Sequence, residues 1–150
     1  MTAPLAGRDV FVLGAVDATA RTLAVALARA GATISVTTAT GNPSEEFFAN
    51  SILNEAWSMG RAGAAFSADA AHLEELRSAI QLRENAVLVV MPPVADQAWP
   101  AELAQDTSQT LILVNGDGDA FELAERGGRR LKATTPTLAE AIAELSPARG

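Results

Sequence analysis

Residues 9–38 constrain this chain more than any other stretch. DVFVLG (9–14) sets four consecutive apolar residues between a charged residue and a glycine, the pattern of a strand buried on both faces. Over 18–30, Ala20, Leu23, Ala24, Leu27 and Ala28 recur at helical spacing, and Gly31 ends the run as a residue tolerant of the left-handed conformation. Residues 32–38 return as a β-branched strand. A strand, a helix and a second strand within about 30 residues form the parallel crossover unit.

Downstream segments repeat that alternation. Asn42 is placed to cap a helix with Pro43 at its first position and Glu45 three beyond the cap. Phe48, Ile52 and Ala56 give that helix a buried stripe, widened by Phe47, Leu53 and Trp57, and Gly60 and Gly63 punctuate its exit. Residues 64–67 form a short, weak strand. Asp69 is expected to cap a helix carrying Leu73, Leu76 and Ile80. AVLVVM (86–91) reads as the central strand, stopped by Pro92 and Pro93. A short helix is expected to include 96–105, a strand 110–114, a short helix 120–126 and a last strand 130–133. Thr137 with Glu140 makes a capping box before Leu138, Ala141, Ile142 and Leu145, and the final SPARG reads as a fraying tail. These features predict one three-layer, doubly wound α/β domain of Rossmann type over 1–150, with a five- or six-stranded parallel sheet.

Composition narrows the function. Eleven basic against eighteen acidic residues give a net charge of −7, poorly suited to a nucleic acid backbone. No apolar run reaches the length of a membrane span, and the start MTAPLAGRD carries no export signal, so a cytoplasmic protein is expected. There is no Cys and a single His, which removes thiolate ligands and leaves His72 a poor metal ligand. His72 reads as a solvated or capping residue. Asp117 and Asp119 could take Mg²⁺, but NGDGD also makes a sensible turn; no metal site is expected.

The segment LAGRDVFVLGAVDATARTLAVALARAGA resembles the opening of the short-chain dehydrogenases/reductases. The likeness continues through GRAGAAFSAD, where Asp69 matches the acidic residue beside adenine, and through NAVLVVM and TLILVN, covering roughly residues 5–115. The family's turn is Gly-x-x-x-Gly-x-Gly; here Gly14 is kept, while Ala18 and Ala20 stand at the second and third glycine positions. The resemblance implies an NAD or NADP site built from Gly14, Asp17, Ala18, Thr19, Ala20 and Arg21, with Thr38, Asp69 and Asn115 around it. The residues themselves disfavour either cofactor. The Ala18 methyl takes up ligand space, and Asp17 sets a negative charge where phosphate would lie. Arg21 offsets that charge only if it reaches back. Thr37, Thr38 and Thr40 at the second strand end select neither ribose form.

The family's Tyr and Tyr-x-x-x-Lys pattern are missing: the chain has no Tyr, and Lys132 is its one lysine. Met91-Pro92-Pro93-Val94 stands where the family has Asn-Asn-Ala-Gly. Hydride transfer needs a route for the coupled proton, so classical dehydrogenase activity is not expected. Two roles remain. One is a non-catalytic domain working in protein association or scaffolding, as a homo-oligomer or with a companion protein, through aromatics such as Phe47, Phe48, Trp57 and Trp99. The other is a small adenine-nucleotide-binding or sensing module. The first predicts an occluded turn over Gly14–Arg21; the second predicts an open one. Completion of an active site by another chain is a third arrangement.

Overall fold

The structure, a computed structural model, describes residues 3–40, 42–69, 71–126 and 128–147. A seven-stranded sheet forms its middle layer, in the order β3-β2-β1-β4-β5-β6-β7. Strands β1 (Asp9–Leu13), β2 (Thr33–Thr37), β3 (Ala62–Phe66), β4 (Ala86–Val90) and β5 (Thr110–Asp117) run parallel. Helices α1 (Ala18–Arg29), α2 (Pro43–Ser58), α3 (Leu73–Gln81) and α4 (Trp99–Thr107) connect them, and α5 (Leu138–Leu145) follows the last strand. The architecture is Rossmann-like. No helix among the described residues is long and apolar enough to cross a membrane.

Two cores lie on opposite faces of the sheet, as side-chain alternation along each strand requires. Val10, Val12, Val87 and Val89 pack with Leu23 and Leu27 of α1, Ile52 of α2, and Ile142 and Leu145 of α5. Phe11, Leu13, Leu88 and Val90 pack with Leu76 and Ile80 of α3 and Leu103 of α4. β4 is buried throughout, which is why its sequence is a continuous apolar run rather than an alternating one.

The main departure from the sequence expectation is past β5. The sheet has seven strands rather than five or six, and its last two are antiparallel: β6 (Ala120–Glu125) and β7 (Arg130–Thr134). Where a helix is expected over 120–126, residues Ala120–Glu125 form a strand. Its burial alternates, with Phe121 and Leu123 inside and Glu122 exposed, and Gly118 (φ +64°) turns the chain back within a two-residue loop. Helix propensity in AFELAER yields to that period-2 burial against the α1 and α5 layer.

Several caps also differ from expectation. Asn42 does cap α2, accepting from Ser44 N at 2.8 Å. Glu45, however, turns outward and accepts from Ala39 N, Thr40 N and the Thr40 hydroxyl, tying the preceding loop to the helix. Asp69 accepts from His72 N, one residue before α3 begins. The capping box before α5 belongs to Thr134 and Thr137 rather than Thr137 and Glu140, because Pro136 opens a 3-10 turn at Thr135–Thr137 first. Gly63 lies inside β3 rather than beyond a helix exit: a Cβ there would overlap the Ser35 hydroxyl, which accepts from Ala64 N where the β2–β3 register slips. Ser146 is no part of a frayed tail. It is buried, with its carbonyl and hydroxyl accepting from the Arg8 guanidinium at 2.7 and 3.0 Å. Arg8 also donates to Asn85 O, and burial pulls its pKa below the usual guanidinium value. Residues 148–150 of the expected tail lie outside the described residues.

Candidate functional site

In an open doubly wound sheet, ligands enter the crevice beyond the carboxyl ends of the strands, where the strand order reverses. Here the reversal lies between β1 and β4, and Gly14 follows β1 directly. Gly14 has φ +83°, which favours glycine. A side chain there would meet Val94, wholly buried: a Cβ on Gly14 would lie 3.1 Å from Val94 Cγ2 and 3.3 Å from Cγ1. The 3-10 turn Pro92–Val94 that carries this side chain folds back from the end of β4. The sequence signal was the MPPV stretch, whose Val94 joins the core with Leu13, Leu76 and Leu88.

Several donors of the turn are bonded within the chain itself. Gly14 N donates to the buried Thr37 hydroxyl at 3.0 Å, and Ala15 N to Thr37 O at 2.8 Å. At the start of α1 the Asp17 carboxylate accepts from Ala20 N at 2.9 Å, a capping bond that places negative charge at the end of the helix that would attract an anion. Ala20 is buried in the helix–sheet contact, Ala18 is exposed, and the Thr19 methyl lies against Gly116 of β5. Arg21 does not reach back to the turn. It pairs with Glu55 of α2 at 2.6 Å, bonds Ser51, and lies 5.7 Å from the centre of the Phe48 ring.

Of the remaining candidates, Thr38 is linked to Gly14 through the Thr37 hydroxyl, which accepts from Gly14 N and donates to Thr38 O at 2.9 Å. Thr38 is buried and accepts from Ala68 N at 2.9 Å, which stitches β2 to the end of β3. Asp69 is bonded to the His72 ring at 2.6 Å, which lowers the carboxyl pKa and raises that of the imidazole. No cluster of three metal-ligating side chains occurs among the described residues. Asn115 lines a different cavity, of about 560 Å³, on the face of β5–β7 that faces away from α5. Val90, Pro92 and Ala95 wall it, Leu113 and Ala124 contribute apolar surface, and Glu122, Arg130 and Lys132 contribute charge. Sequence reasoning missed Val94 and this cavity; the available signal for the second was the concentration of Arg126, Arg129, Arg130 and Lys132 in an acidic chain.

No family model matches the chain, and no curated protein matches its sequence. Solved structures that resemble it include a protein described as a short-chain alcohol dehydrogenase from Sinorhizobium meliloti. That one has a TM-score of 0.43 and 28% identity, covering 57% of this chain and 34% of that one. E. coli MccB, solved with MccA, matches at a TM-score of 0.53 and 14% identity over 85% of this chain and 41% of that one, a likeness of fold. The NADH-dependent reductase A1-R′, solved with NAD, matches at a TM-score of 0.49 and 17% identity over 97% of this chain and 71% of that one. The chain thus spans well under half the length of the first two.

Proposed function

We propose that this chain is a non-catalytic domain of short-chain-reductase type that works by association, as a two-fold homodimer through α2 and the β3 edge. One observation carries the association: β3 is a sheet edge of sequence AGAAF, without a charged side chain, and Trp57 stands 74% exposed beside it. The opposite edge, β7, has the sequence RLKAT, and its Arg130 and Lys132 are the usual means of discouraging edge contact.

The flank of α2 is fixed by Glu46, whose carboxylate accepts from the Ser67 hydroxyl just past β3 at 2.8 Å. Trp57 lies eleven residues on, about three turns, and so shares that flank. Phe47, 79% exposed, extends the apolar surface outward. A two-fold axis beside β3 sets the helices antiparallel and makes the contact self-complementary. It also supplies a charge match. Arg61 stands at one end of β3 and Glu46 beside the other, so each Arg61 approaches the partner's Glu46. The Asp17 carboxylate at the start of α1, with Arg21 paired to Glu55 instead, supports the non-catalytic half of the reading.

Analytical ultracentrifugation of the purified chain tests it. A dimer is expected. Trp57→Ser should weaken it by about 2 kcal/mol, as loss of a central aromatic does. Arg61→Glu should also weaken it, and Arg61→Glu with Glu46→Arg should restore it. A wild-type monomer at all concentrations refutes the association. Saturable NAD or NADP binding with turnover refutes the non-catalytic assignment.

A further inference from the structure

The β5–β6–β7 meander leaves one sheet face bare for a reason that lies in its connections. Parallel strands need crossover helices, which cover the sheet; antiparallel neighbours need only tight turns. The two-residue loop from Asp117 to Ala120 places no helix on the α4 side, while α5 covers the other side. On the bare side, cross-strand neighbours form two rows. One runs Leu113, Ala124, Arg130; the next runs Asn115, Glu122, Lys132. Leu113 is 39% exposed. The 3-10 turn Pro92–Val94 and Ala95 close one end, giving the half-enclosed cavity of about 560 Å³, within the ~300–1,000 Å³ of small-molecule sites.

We infer that this cavity is a binding site for a small organic monoanion with an apolar body, a carboxylate above all. The apolar body lies on Leu113 and Ala124 against Val90, Pro92 and Ala95, and the carboxylate meets Arg130 at the end of the same row. Arg130 suits it because the planar guanidinium can donate two parallel hydrogen bonds to a carboxylate. Neither Arg130 nor Lys132 is engaged in an ion pair with a described residue. Two cations and the Glu122 carboxylate leave a single positive charge, which matches a monoanion and disfavours a phosphate dianion or a dinucleotide. Asn115, at the carboxyl end of β5, offers a neutral donor and acceptor for a further polar group. A partner's helix is a poorer occupant: the second row is polar throughout, so the apolar floor is too narrow for a helical stripe.

The test uses 2-naphthylacetate as the probe, followed by its fluorescence and by calorimetry with the full chain. Saturable one-to-one binding is expected, about tenfold weaker for Arg130→Gln and for the neutral 2-naphthylethanol, and weaker for 1-naphthyl phosphate. Leu113→Asp should abolish it while circular dichroism still shows the wild-type fold. Absence of saturable binding overturns the inference, as does equal affinity for acid and alcohol or an unchanged affinity in Arg130→Gln. The site is remote from α2 and β3, so the dimer variants leave this measurement unaffected, and the two readings fail separately.

Discussion

The two halves of the sheet differ in how their carboxyl ends are finished. In the parallel half, Val94 packs against Gly14 at the β1–β4 reversal, and Gly14 N and Ala20 N donate to Thr37 and Asp17. In the antiparallel half, the face beside Asn115 is open, with Leu113 partly bare and two cations at the rim. The turn Pro92–Val94 borders both regions, with Val94 on Gly14 and Pro92 on the open cavity. Connection type explains the open half: hairpins leave a face that crossovers would cover.

The largest expected effect separates the halves by stability. Val94→Ala removes atoms packed on Gly14 and should cost about 1–3 kcal/mol in urea denaturation. Leu113→Ala, on the open face, should cost under about 1 kcal/mol, since much of that side chain never leaves water. Equal costs would break the contrast. Next, Asp17→Ala removes the α1 cap and should cost about 1 kcal/mol. With Val94 packed against Gly14, this variant gains no affinity for adenine nucleotides by calorimetry; a clear gain would mean that charge alone had kept them out.

The smallest effect lies at Asp69–His72, outside both cavities. The Asp69 hydrogen bond raises the His72 pKa above 6.5, and the same bond lowers the Asp69 pKa below 3.8. The histidine's share of stability is present below 6.5 and is lost as pH rises through the raised value. The carboxyl's share is present above 3.8 and is lost as pH falls through the lowered value. Together they favour the folded state most between those limits. In Asp69→Asn the His72 midpoint, followed by NMR, should fall toward 6.5; an unmoved midpoint would show that the pair does not form in solution.

Much of the fold was legible because local and tertiary demands agree there. DVFVLG and AVLVVM can be satisfied only in a sheet covered on both faces, and the Leu23–Leu27 spacing gives α1 its buried stripe. The segment 120–126 was misread because Ala, Glu and Leu favour helix locally, while Phe121 and Leu123 find their partners across the sheet in α5 and β5. The candidate site was legible only as a list. The glycine pattern located Gly14, Asp17 and Arg21, but nothing in it indicated that Arg21 would turn to Glu55 or that Asn115 would line a cavity on β5–β7.

By itself the sequence determined a buried first crossover, an acidic chain and a chain without tyrosine, because strand and helix periodicity and residue inventory are local properties. The tertiary structure decided that Val94 packs against Gly14 and that Arg130 and Lys132 border an open apolar face. Those outcomes depend on which distant residues the strand order brings together, and side-chain periodicity along one segment carries no record of its neighbours.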